Sequence, residues 1–440
     1  MTHETMKRFL SRIAVDLTPL RASRDFRRLT AGTLITGLGT QATLVALPYQ
    51  LFIVTGSAFQ TGLIGAAEIV PLAAGSLYGG ALADRLDRRA LLLTCQLALV
   101  GVAAALALAA ISSEPPVWLL YVLAAAMASA SALQQTTRAA IVPNTVPPNL
   151  LRGALSLTYG LEQLTMVAGP GIGGLLIAAF TISVPYAVDA VSCLGMAVAA
   201  WAMSPQPVAA GIEHEPILRS IRHGLAFIHR RKPVMAGFVI DLSATTFGMP
   251  RALFPALALT AYHGGASGTG LLYAAVAAGS TAAALTTGWL LRARYLGRII
   301  LLAVAVWGAF IALAGLVDSI WIAALLLAVA GAADSISAVC RSTMLQTLTP
   351  DRMRGRANSV YGLIVAGGPR LGDIESGTVA ALTSVTFSVV SGGLVCLASA
   401  AVVAARFPQL VAHDSDEIDA GALGEKLELA AGCLKAERLA

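Results

Sequence analysis

The sequence predicts an all-α membrane protein with twelve transmembrane helices in two six-helix repeats. Composition is the first reason, because 57% of the 440 residues are hydrophobic and 12% are charged, against roughly 25% charged residues in soluble domains. The second reason is that the apolar residues, which give a mean hydropathy of +0.75, gather in stretches near the ~20 residues that cross a bilayer. The third is a sequence pattern that recurs at a constant offset in the two halves.

The N-terminal half contributes six apolar stretches after a polar and basic segment, residues 1–28. The first stretch is too long for the apolar core of a signal peptide, so we expect a membrane span. In lipid a backbone without polar partners must be helical, and the abundant Gly and Ala favour close helix packing. The predicted spans of the N-terminal bundle, residues 29–203, are 29–53, 59–82, 90–112, 117–137, 153–179 and 183–203.

A less apolar segment, residues 204–233, separates the two bundles. Within this linker Ile217, Ile221, Leu225 and Ile228 recur at helical spacing among arginines, which predicts an amphipathic helix on the membrane surface. A polar and acidic tail, residues 406–440, follows the last span. The predicted spans of the C-terminal bundle, residues 234–405, are 234–260, 268–291, 299–316, 320–340, 357–383 and 386–405.

Lysine and arginine are confined to alternate connections between the spans. The N-terminal segment, the linker and the other even-numbered connections contain them, whereas the odd-numbered connections contain none. The odd-numbered connections are 54–58, 113–116, 180–182, 261–267, 317–319 and 384–385. By the positive-inside rule both termini and the linker are cytoplasmic. This basic surface is expected to attract anionic lipid headgroups, which explains the net charge of +6 without nucleic acid.

One connecting sequence occurs twice, 202 residues apart. Residues 148–153 (Pro-Asn-Leu-Leu-Arg-Gly) and Tyr159-Gly160 return as residues 350–355 (Pro-Asp-Arg-Met-Arg-Gly) and Tyr361-Gly362. Each copy stands between the fourth and fifth spans of its half. A parallel repeat of six spans is therefore predicted, with two structurally related bundles.

Ionisable side chains within the predicted spans cost ~2.5 kcal/mol or more at bilayer depth, so they mark candidate functional sites. They are Glu68, Glu162, Asp189, Asp241, Arg251, Asp334, Arg370, Asp373 and Glu375. Asp189 differs from the others because it lies about six residues from the outer end of its span, where it is expected to reach headgroups or water. The candidates for contact with a substrate in a central cavity are Arg251, Asp334, Arg370, Asp373 and Glu375.

Glu68, Glu162 and Asp241 are the candidates for proton coupling. Glu68 and Glu162 lie near the middle of their spans and have no basic residue within four positions in the sequence. A carboxyl group without a partner in a low dielectric favours its neutral form, so it can load and release a proton as water access alternates. The alternative is a permanently protonated, hydrogen-bonded glutamate. Arg370 and Asp373 are three residues apart and are expected to pair, either as a structural ion pair or in contact with substrate.

Residues 80–89, Gly-Ala-Leu-Ala-Asp-Arg-Leu-Asp-Arg-Arg, hold five charges between two apolar spans. The run resembles the loop between helices 2 and 3 of the major facilitator superfamily of transporters. The matching positions are Gly80, Asp84, Arg85, Arg88 and Arg89. The resemblance implies the major facilitator fold and a gating role, in which Asp84 contacts the positive end of helix 11 in the outward-facing state. Asp87 replaces the usual glycine, and a loop that only sets topology is the alternative.

The fifth span contains residues 168–174, Ala-Gly-Pro-Gly-Ile-Gly-Gly. This stretch resembles the Gly-Pro-x-x-Gly motif of proton-coupled antiporters in the same superfamily. The matching residues are Gly169, Pro170, Gly173 and Gly174. The resemblance implies a kink at Pro170, close packing of this helix against the other half, and export in exchange for protons. Thr165 stands where the longer pattern has a glycine, and helix packing by small residues without a transport role is the alternative.

Most of residues 24–405 resembles the siderophore-export and drug-efflux branch of the superfamily, notably at Arg251, at residues 255–258 (Pro-Ala-Leu-Ala) and at residues 270–275. The resemblance implies a proton-coupled antiporter in the bacterial inner membrane that exports a small amphipathic molecule, such as a siderophore or lipophilic drug, by alternating access. A facilitator or importer of a small solute, and a non-transporting receptor that kept the fold, are the alternatives.

The sequence lacks a nucleotide-binding loop and metal-ligand spacing of His or Cys. We therefore expect no enzymatic activity, no catalytic residues, no metal and no cofactor, with the proton gradient as the energy source. The expected partners are a small-molecule substrate, protons and membrane lipids. We expect no nucleic acid and a monomeric state.

Overall fold

The computed structural model describes residues 17–112, 115–206, 217–287, 290 and 293–412. Of residues 217–221, 224, 351, 352, 354–356 and 359 only the backbone is described. Every regular element in these described residues is helical. Most of the basic N-terminal segment lies outside the described residues, and so does most of the acidic C-terminal tail.

Six long helices form the N-terminal bundle. They are α1 (Arg24–Thr55), α2 (Ala58–Ala83), α3 (Arg88–Ile111), α4 (Val117–Thr145), α5 (Leu151–Ala179) and α6 (Ser183–Ala202). A short helix at Thr18–Ala22 precedes α1, and a single 3₁₀ turn at Pro148–Leu150 leads into α5. The linker contains the expected amphipathic helix, Ile217–Arg230.

Six further helices form the second bundle. They are α7 (Lys232–Phe247), α8 (Gly265–Thr286), α9 (Leu296–Ala314), α10 (Ile320–Leu348), α11 (Asp351–Leu382) and α12 (Val385–Arg406). Ten of the twelve long helices are long and apolar enough to cross a membrane. The other two are α7, with 16 residues, and α11, which carries Arg370, Asp373 and Glu375 along its 32 residues.

Several helices begin at side chains that bond the otherwise unpaired backbone N–H groups of a first turn. The hydroxyl of Ser23 accepts from Phe26 N at 3.1 Å at the start of α1. Asp87 accepts from Ala90 N at 3.0 Å at the start of α3. The hydroxyl of Ser384 accepts from Phe387 N at 3.1 Å at the start of α12. Polar residues at the membrane surface thus fix where these helices begin.

Helices α4 and α10 continue about two turns beyond the ends that the apolar pattern predicted. The predicted spans ended at residues 137 and 340, whereas the helices end at Thr145 and Leu348. Both helices end one residue before an X-Pro pair, Val146-Pro147 and Thr349-Pro350, where the residue preceding proline disfavours helical dihedrals. The extra turns place two arginines inside the bundles.

The seventh span is not one continuous helix, as was expected for residues 234–260. Helix α7 ends at Phe247, and after Gly248-Met249-Pro250 the chain resumes as short turns at Arg251–Leu253, Phe254–Ala256 and Leu257–Ala261. Proline removes a backbone donor and clashes with the preceding turn. The carbonyl of Gly248 is instead bonded by Trp307 Nε1 at 2.6 Å. Side chains of neighbouring helices therefore replace the backbone bonds that the break removes.

The two bundles meet along two pairs of helices, α2 with α11 and α5 with α8. A Cβ on Gly377 would lie 2.9 Å from Gly62 Cα, and a Cβ on Gly174 would lie 2.9 Å from Gly270 Cα. Such close backbone approach requires glycine on both helices. All four glycines lie near the odd-numbered connections, so the bundles are sealed against each other at that end.

Towards the opposite end, which carries the basic connections, α2 and α11 diverge. A cleft of about 260 Å³ opens between them, lined on the α2 side by Leu72 and Ser76 and on the α11 side by Leu363 and Gly367. Gly80, at the end of α2, has open space where a Cβ would stand. The bundles therefore touch near the odd-numbered connections, which we call the sealed end, and a cleft separates described residues of α2 and α11 towards the other end, which we call the open end.

Candidate functional site

A cavity of about 300 Å³ lies between helices of the N-terminal bundle and reaches the C-terminal bundle at Arg370. Among the described residues its wall is built from α1, α2, α4 and α5, with Arg370 as the one contribution of the C-terminal bundle. Four threonines, three glutamines and a serine give the wall a hydrogen-bonding character, and two ion pairs lie in it. The polar and charged lining residues are Thr33, Thr36, Thr40, Gln41, Glu68, Ser131, Gln134, Gln135, Arg138, Glu162, Thr165 and Arg370.

The first ion pair joins Arg138 of α4 to Glu162 of α5. Their side chains are 14% and 35% exposed respectively, so the carboxylate is the more accessible partner. Glu162 was expected to lack a cationic partner, and that expectation is wrong. It failed because the partner comes from another helix, 24 residues earlier in the chain, where the predicted fourth span had already ended.

The second ion pair connects the two bundles. Arg370 Nε on α11 donates to Glu68 Oε2 on α2 at 3.2 Å, and the two side chains are 23% and 12% exposed. Glu68 is therefore also paired, contrary to expectation. The expected pair of Arg370 with Asp373 does not form either, because Arg370 reaches across the interface to Glu68. A charged hydrogen bond thus links the bundles beside the cavity.

Asp373 supports the broken seventh span. Its Oδ1 accepts from Ala252 N at 3.1 Å, and the hydroxyl of Tyr273 on α8 donates to the Arg251 carbonyl at 2.8 Å. The ring of Phe254 meets the ring of Tyr273 edge to face, with 4.9 Å between centroids. No carboxylate oxygen in the described part of the chain lies within 4 Å of the Arg251 guanidinium. Arg251 is therefore held at the break without an ion-pair partner.

A third charged group is buried within the C-terminal bundle, apart from the cavity wall. Arg341 of α10 bonds Asp241 Oδ1 of α7 at 2.8 Å, and these side chains are 5% and 1% exposed. Asp334 lies 3.8 Å from the same guanidinium. The guanidinium also donates a hydrogen bond to the hydroxyl of Ser337 at 2.9 Å. Two carboxylates therefore share one arginine. Among the described residues, neither Asp241 Oδ2 nor Arg341 Nε has a hydrogen-bond partner.

The remaining candidates lie elsewhere. Glu375 is half-buried on α11 and makes no hydrogen bond or ion pair with any described residue. Asp189 does not reach headgroups or water, because it is 3% exposed and packed between α6 and α1. The cavity therefore gathers Glu68, Glu162 and Arg370, but not Arg251, Asp334, Asp373 or Glu375.

Two ion-pair partners of the candidate residues were missed by sequence reasoning, Arg138 and Arg341. Both lie just beyond the predicted ends of the fourth and tenth spans. The X-Pro pair at Thr349-Pro350 could have extended the tenth span to its observed end, but the same signal is ambiguous for the fourth, because α4 passes through Val142-Pro143 and ends only before Val146-Pro147. Arg138 pairs with Glu162 and Arg341 pairs with Asp241, and both carboxylates had been recognised as candidates. The sequence therefore indicated the acidic partner of each ion pair but not the basic one.

The charged run after α2 forms a network at the open end. Arg88 lies 3.9 Å from Asp84, and its Nε donates to the Ala83 carbonyl at 3.0 Å. Arg89 Nε donates to the Ala200 carbonyl of α6 at 3.2 Å. Asp87, which departs from the motif, also accepts from Gln206 N at 3.0 Å. The run thus ties α2, α3 and the start of the linker together.

The glycine motif of α5 has two packing partners. Gly169 and Gly173 face Gln41 and Ala42 of α1 in their own bundle, whereas Gly174 faces Gly270 of α8 in the other. Close packing against the other half was expected for the whole motif, and only part of the motif provides it. Pro170, where a kink was expected, lies inside α5 between these contacts, and a Cβ on Gly270 of α8 would stand 2.6 Å from its carbonyl oxygen.

Comparison with known proteins agrees with this architecture. The family model described as transmembrane secretion effector matches residues 14–433. The enterobactin exporter EntS of Salmonella typhi is 30% identical over 396 residues, covering 87% of this chain and 92% of the relative. EntS of Citrobacter koseri is 29% identical over 395 residues, with the same coverage.

A solved bacterial homologue of the human lysosomal transporter Spinster, in an inward-facing and unoccupied conformation, superposes with a TM-score of 0.65. It is 15% identical, and the match covers 88% of this chain and 98% of that one. At this identity the likeness concerns the fold. Together with the apolar helices and the matching family model, these findings place the chain in the transmembrane secretion effector family of major facilitator transporters, a family of multi-pass membrane proteins.

Proposed function

We propose that the chain is a proton-coupled exporter that moves a small amphipathic molecule out of the bacterial cell by alternating access. The single observation that carries this proposal is the pair of arginine–glutamate contacts in the cavity wall, Arg138–Glu162 and Arg370–Glu68. The similarity to enterobactin exporters supports export as the direction. All twelve long helices are taken as membrane spans, with both termini and the basic connections cytoplasmic.

In this orientation the open end of the bundle interface faces the cytoplasm. The chain is then in an inward-facing state, ready to receive a substrate from inside. Sealing by the Gly62–Gly377 and Gly174–Gly270 contacts prevents leakage to the outside. Rocking of the bundles would separate these contacts and close the cytoplasmic cleft, where Asp84 is the proposed latch.

Competition between a proton and the substrate for Glu162 provides the coupling. Glu162 is the more exposed partner of Arg138, so water in the cavity can deliver a proton to it. Ionised Glu162 accepts a hydrogen bond from a hydroxyl or amide group of the substrate, and its protonation on the outer side weakens this bond and releases the substrate. After the protonated carrier has returned to the inward-facing state, Glu162 loses its proton to the cytoplasm and can bind the next substrate, so protons and substrate move in opposite directions. Asp241 occupies a similar position relative to Arg341, but it is far less accessible.

The cavity wall indicates which molecules can bind. Hydroxyl and amide side chains alternate with Leu44, Leu72, Met127 and Met166, so the wall can bond polar groups and contact apolar ones. Glu162 and Glu68, each held by an arginine, accept hydrogen bonds from substrate hydroxyl groups when they are ionised. A siderophore with acidic hydroxyl groups fits this chemistry, and a lipophilic drug is the second substrate class.

Transport in liposomes containing the purified full chain tests the proposal. Enterobactin and ethidium serve as probes, and a proton gradient is imposed with the lumen acidic. We expect probe accumulation that collapses when an uncoupler dissipates the gradient. Glu162→Gln is expected to abolish the gradient dependence, whereas Asp318→Asn, in an exposed connection, should behave as wild type. Uptake that ignores the gradient indicates a facilitator, and no flux with either probe contradicts this substrate range.

A further inference from the structure

Asp189 is a buried carboxylate that none of the proposed coupling steps uses. It lies on α6, and its Oδ2 accepts from Thr43 Oγ1 at 2.8 Å while Oδ1 accepts from Thr40 Oγ1 at 3.1 Å. On its own helix the Ser192 hydroxyl and the Cys193 thiol approach Oδ1 at 3.5 and 3.6 Å. All of its partners are therefore neutral donors.

No lysine or arginine nitrogen in the described part of the chain lies within 4 Å of this carboxylate. Residues 29–55 of α1 and 90–111 of α3, the two helices packed most extensively on α6, contain no charged residue. The charged residues at the basic ends of these helices and of α5 are Arg24, Asp25, Arg27, Arg28, Arg88, Arg89 and Arg152, next to the even-numbered connections. The other titratable groups on the surrounding elements are Tyr49 of α1, Cys95 of α3, Tyr186 and Cys193 of α6, and Tyr159 and Glu162 of α5, of which Glu162 is already paired. An ionised Asp189 would have no counter-charge, which is costly inside a bilayer.

The hydroxyls around Asp189 suit both of its protonation states. A threonine or serine hydroxyl can donate to a carboxylate, and after rotation it can accept from a carboxylic acid. An arginine partner could only donate, so it would hold the carboxylate ionised. The partners of Glu68, Glu162 and Asp241 are all arginines. Asp189 therefore differs from the other three in being able to gain a proton without losing its hydrogen bonds.

A single hydroxyl separates Asp189 from the cavity. Thr40 lines the cavity wall and bonds the carboxylate directly, and neighbouring Thr36 lines the same wall while donating to the Ser192 carbonyl at 3.3 Å. Gly39 makes this contact possible, because a Cβ there would stand 2.9 Å from Asp189 Cα and 3.0 Å from Oδ1. The hydroxyl groups of α1 thus lie between the cavity and Asp189, and Thr40 contacts both.

We propose that Asp189 is a second proton-binding site, loaded from the cavity through Thr40. In this step a hydronium ion in the cavity gives a proton to Thr40 Oγ1 as Thr40 passes its own proton to Asp189 Oδ1. O–H bonds form on Thr40 and on the carboxyl group while one breaks in the hydronium ion and one on Thr40, which leaves a water molecule and neutral Thr40 with no change in oxidation state. The contribution of this proton to transport rests on the proposed antiport, whereas its binding does not.

Infrared difference spectroscopy of the full chain in liposomes tests the binding, with pH as the only variable. We expect the C=O stretching band of protonated carboxylic acids to appear on acidification, and one component of it to be lost in Asp189→Asn and kept in Asp318→Asn. The amide of asparagine keeps the size and hydrogen bonding of the side chain, and an unchanged far-UV spectrum and melting temperature would exclude misfolding. A difference spectrum unchanged by Asp189→Asn overturns the proposal, as does a signal that follows Na⁺ at constant pH.

A second variant tests the route. Thr40→Val keeps the carboxylate but removes the hydroxyl, so the band should form more slowly after a rapid pH jump. Thr94→Val, on the exposed face of α3, is the matched control and should leave the rate unchanged. Equal rates in Thr40→Val and wild type overturn the relay through Thr40. The infrared signal needs no substrate. If Asp189 titrates in a protein whose probe flux is independent of the proton gradient, the proposed antiport is overturned and the proposed proton-binding site stands.

Discussion

The Glu68–Arg370 contact predicts that removing one charge opens the sealed end of the molecule. The pair joins α2 to α11 on the same two helices that meet at Gly62 and Gly377. Glu68→Gln keeps a hydrogen-bond acceptor for Arg370 but removes the ionic attraction. Glu68→Leu removes both. We therefore expect the population of the state open at the other end to rise in the order wild type, Glu68→Gln, Glu68→Leu.

The size of the effect follows from burial. A hydrogen bond to a charged group contributes ~1.5–3 kcal/mol, and an exposed ion pair about 0–1 kcal/mol. The side chains are 12% and 23% exposed, so we take about 1–2 kcal/mol for the pair, between those two limits. That free energy corresponds to a shift of roughly 5–30-fold in the ratio of the two states.

Spin labels on opposite bundles at the sealed end can measure this ratio. Thr181→Cys, between α5 and α6, and Asp318→Cys, between α9 and α10, are both exposed and lie in odd-numbered connections. Distance distributions from pulsed electron resonance are then compared among the Glu68 variants in liposomes. Glu162→Gln is the matched control, since it removes a charge from a pair within one bundle.

Two results would refute the reasoning. One is a distance distribution in Glu68→Leu that is the same as in wild type. The other is failure of the exchanged pair, Glu68→Arg with Arg370→Glu, to return the distribution towards wild type when both single variants shift it. Either outcome would mean that the glycine contacts alone hold the sealed end.

Three further predictions follow from other contacts. Arg341→Met leaves the buried Asp241 without its partner and should lower the free energy of unfolding by ~3–5 kcal/mol. SDS titration in mixed micelles measures this loss, and adding Asp241→Asn should recover most of it. Asp87→Ala removes the cap of α3 and the bond to Gln206 N, so we expect a loss of ~0.5–2 kcal/mol and faster hydrogen exchange at Ala90 and Gln206 than in Thr94→Ala. Gly174→Val should overpack the crossing with α8, which should lower the free energy of unfolding by ~1–3 kcal/mol and lengthen the distance between labels at Thr181 and Asp318. Gly101→Val, with open space around it, should do neither.

Hydrophobic length and breaker residues were sufficient to predict nearly all of the helices. Bilayer thickness imposes the same length on each span, so apolar stretches of about 20 residues are a direct signal. The pattern failed where a helix extends past its apolar part, as at Arg138, and where a span is broken, as at Gly248-Met249-Pro250. In both places polar groups from other helices stabilise what hydropathy alone disfavours.

The candidate site was predicted less completely, because partners far apart in sequence decide it. Glu68 and Arg370 are 302 residues apart, and no local rule relates them. The expected Arg370–Asp373 pair illustrates the difficulty. The two residues have the right spacing on one helix, but Arg370 bonds Glu68 of the other bundle instead. Asp189 was misjudged for the same reason, because its depth was estimated along its own helix while α1 covers it.

The cavity wall is divided unequally between the two bundles. Nearly all of the described lining residues belong to α1, α2, α4 and α5, and Arg370 is the one among them from the C-terminal bundle. The contacts that join the bundles depend on other positions, namely glycines near the ends of α2, α5, α8 and α11. Under the proposed transport function, substitutions at Thr36, Gln41 or Gln134 would change which molecules bind and leave the glycine contacts unaltered. Choice of cargo and movement of the bundles would then be separable by mutation.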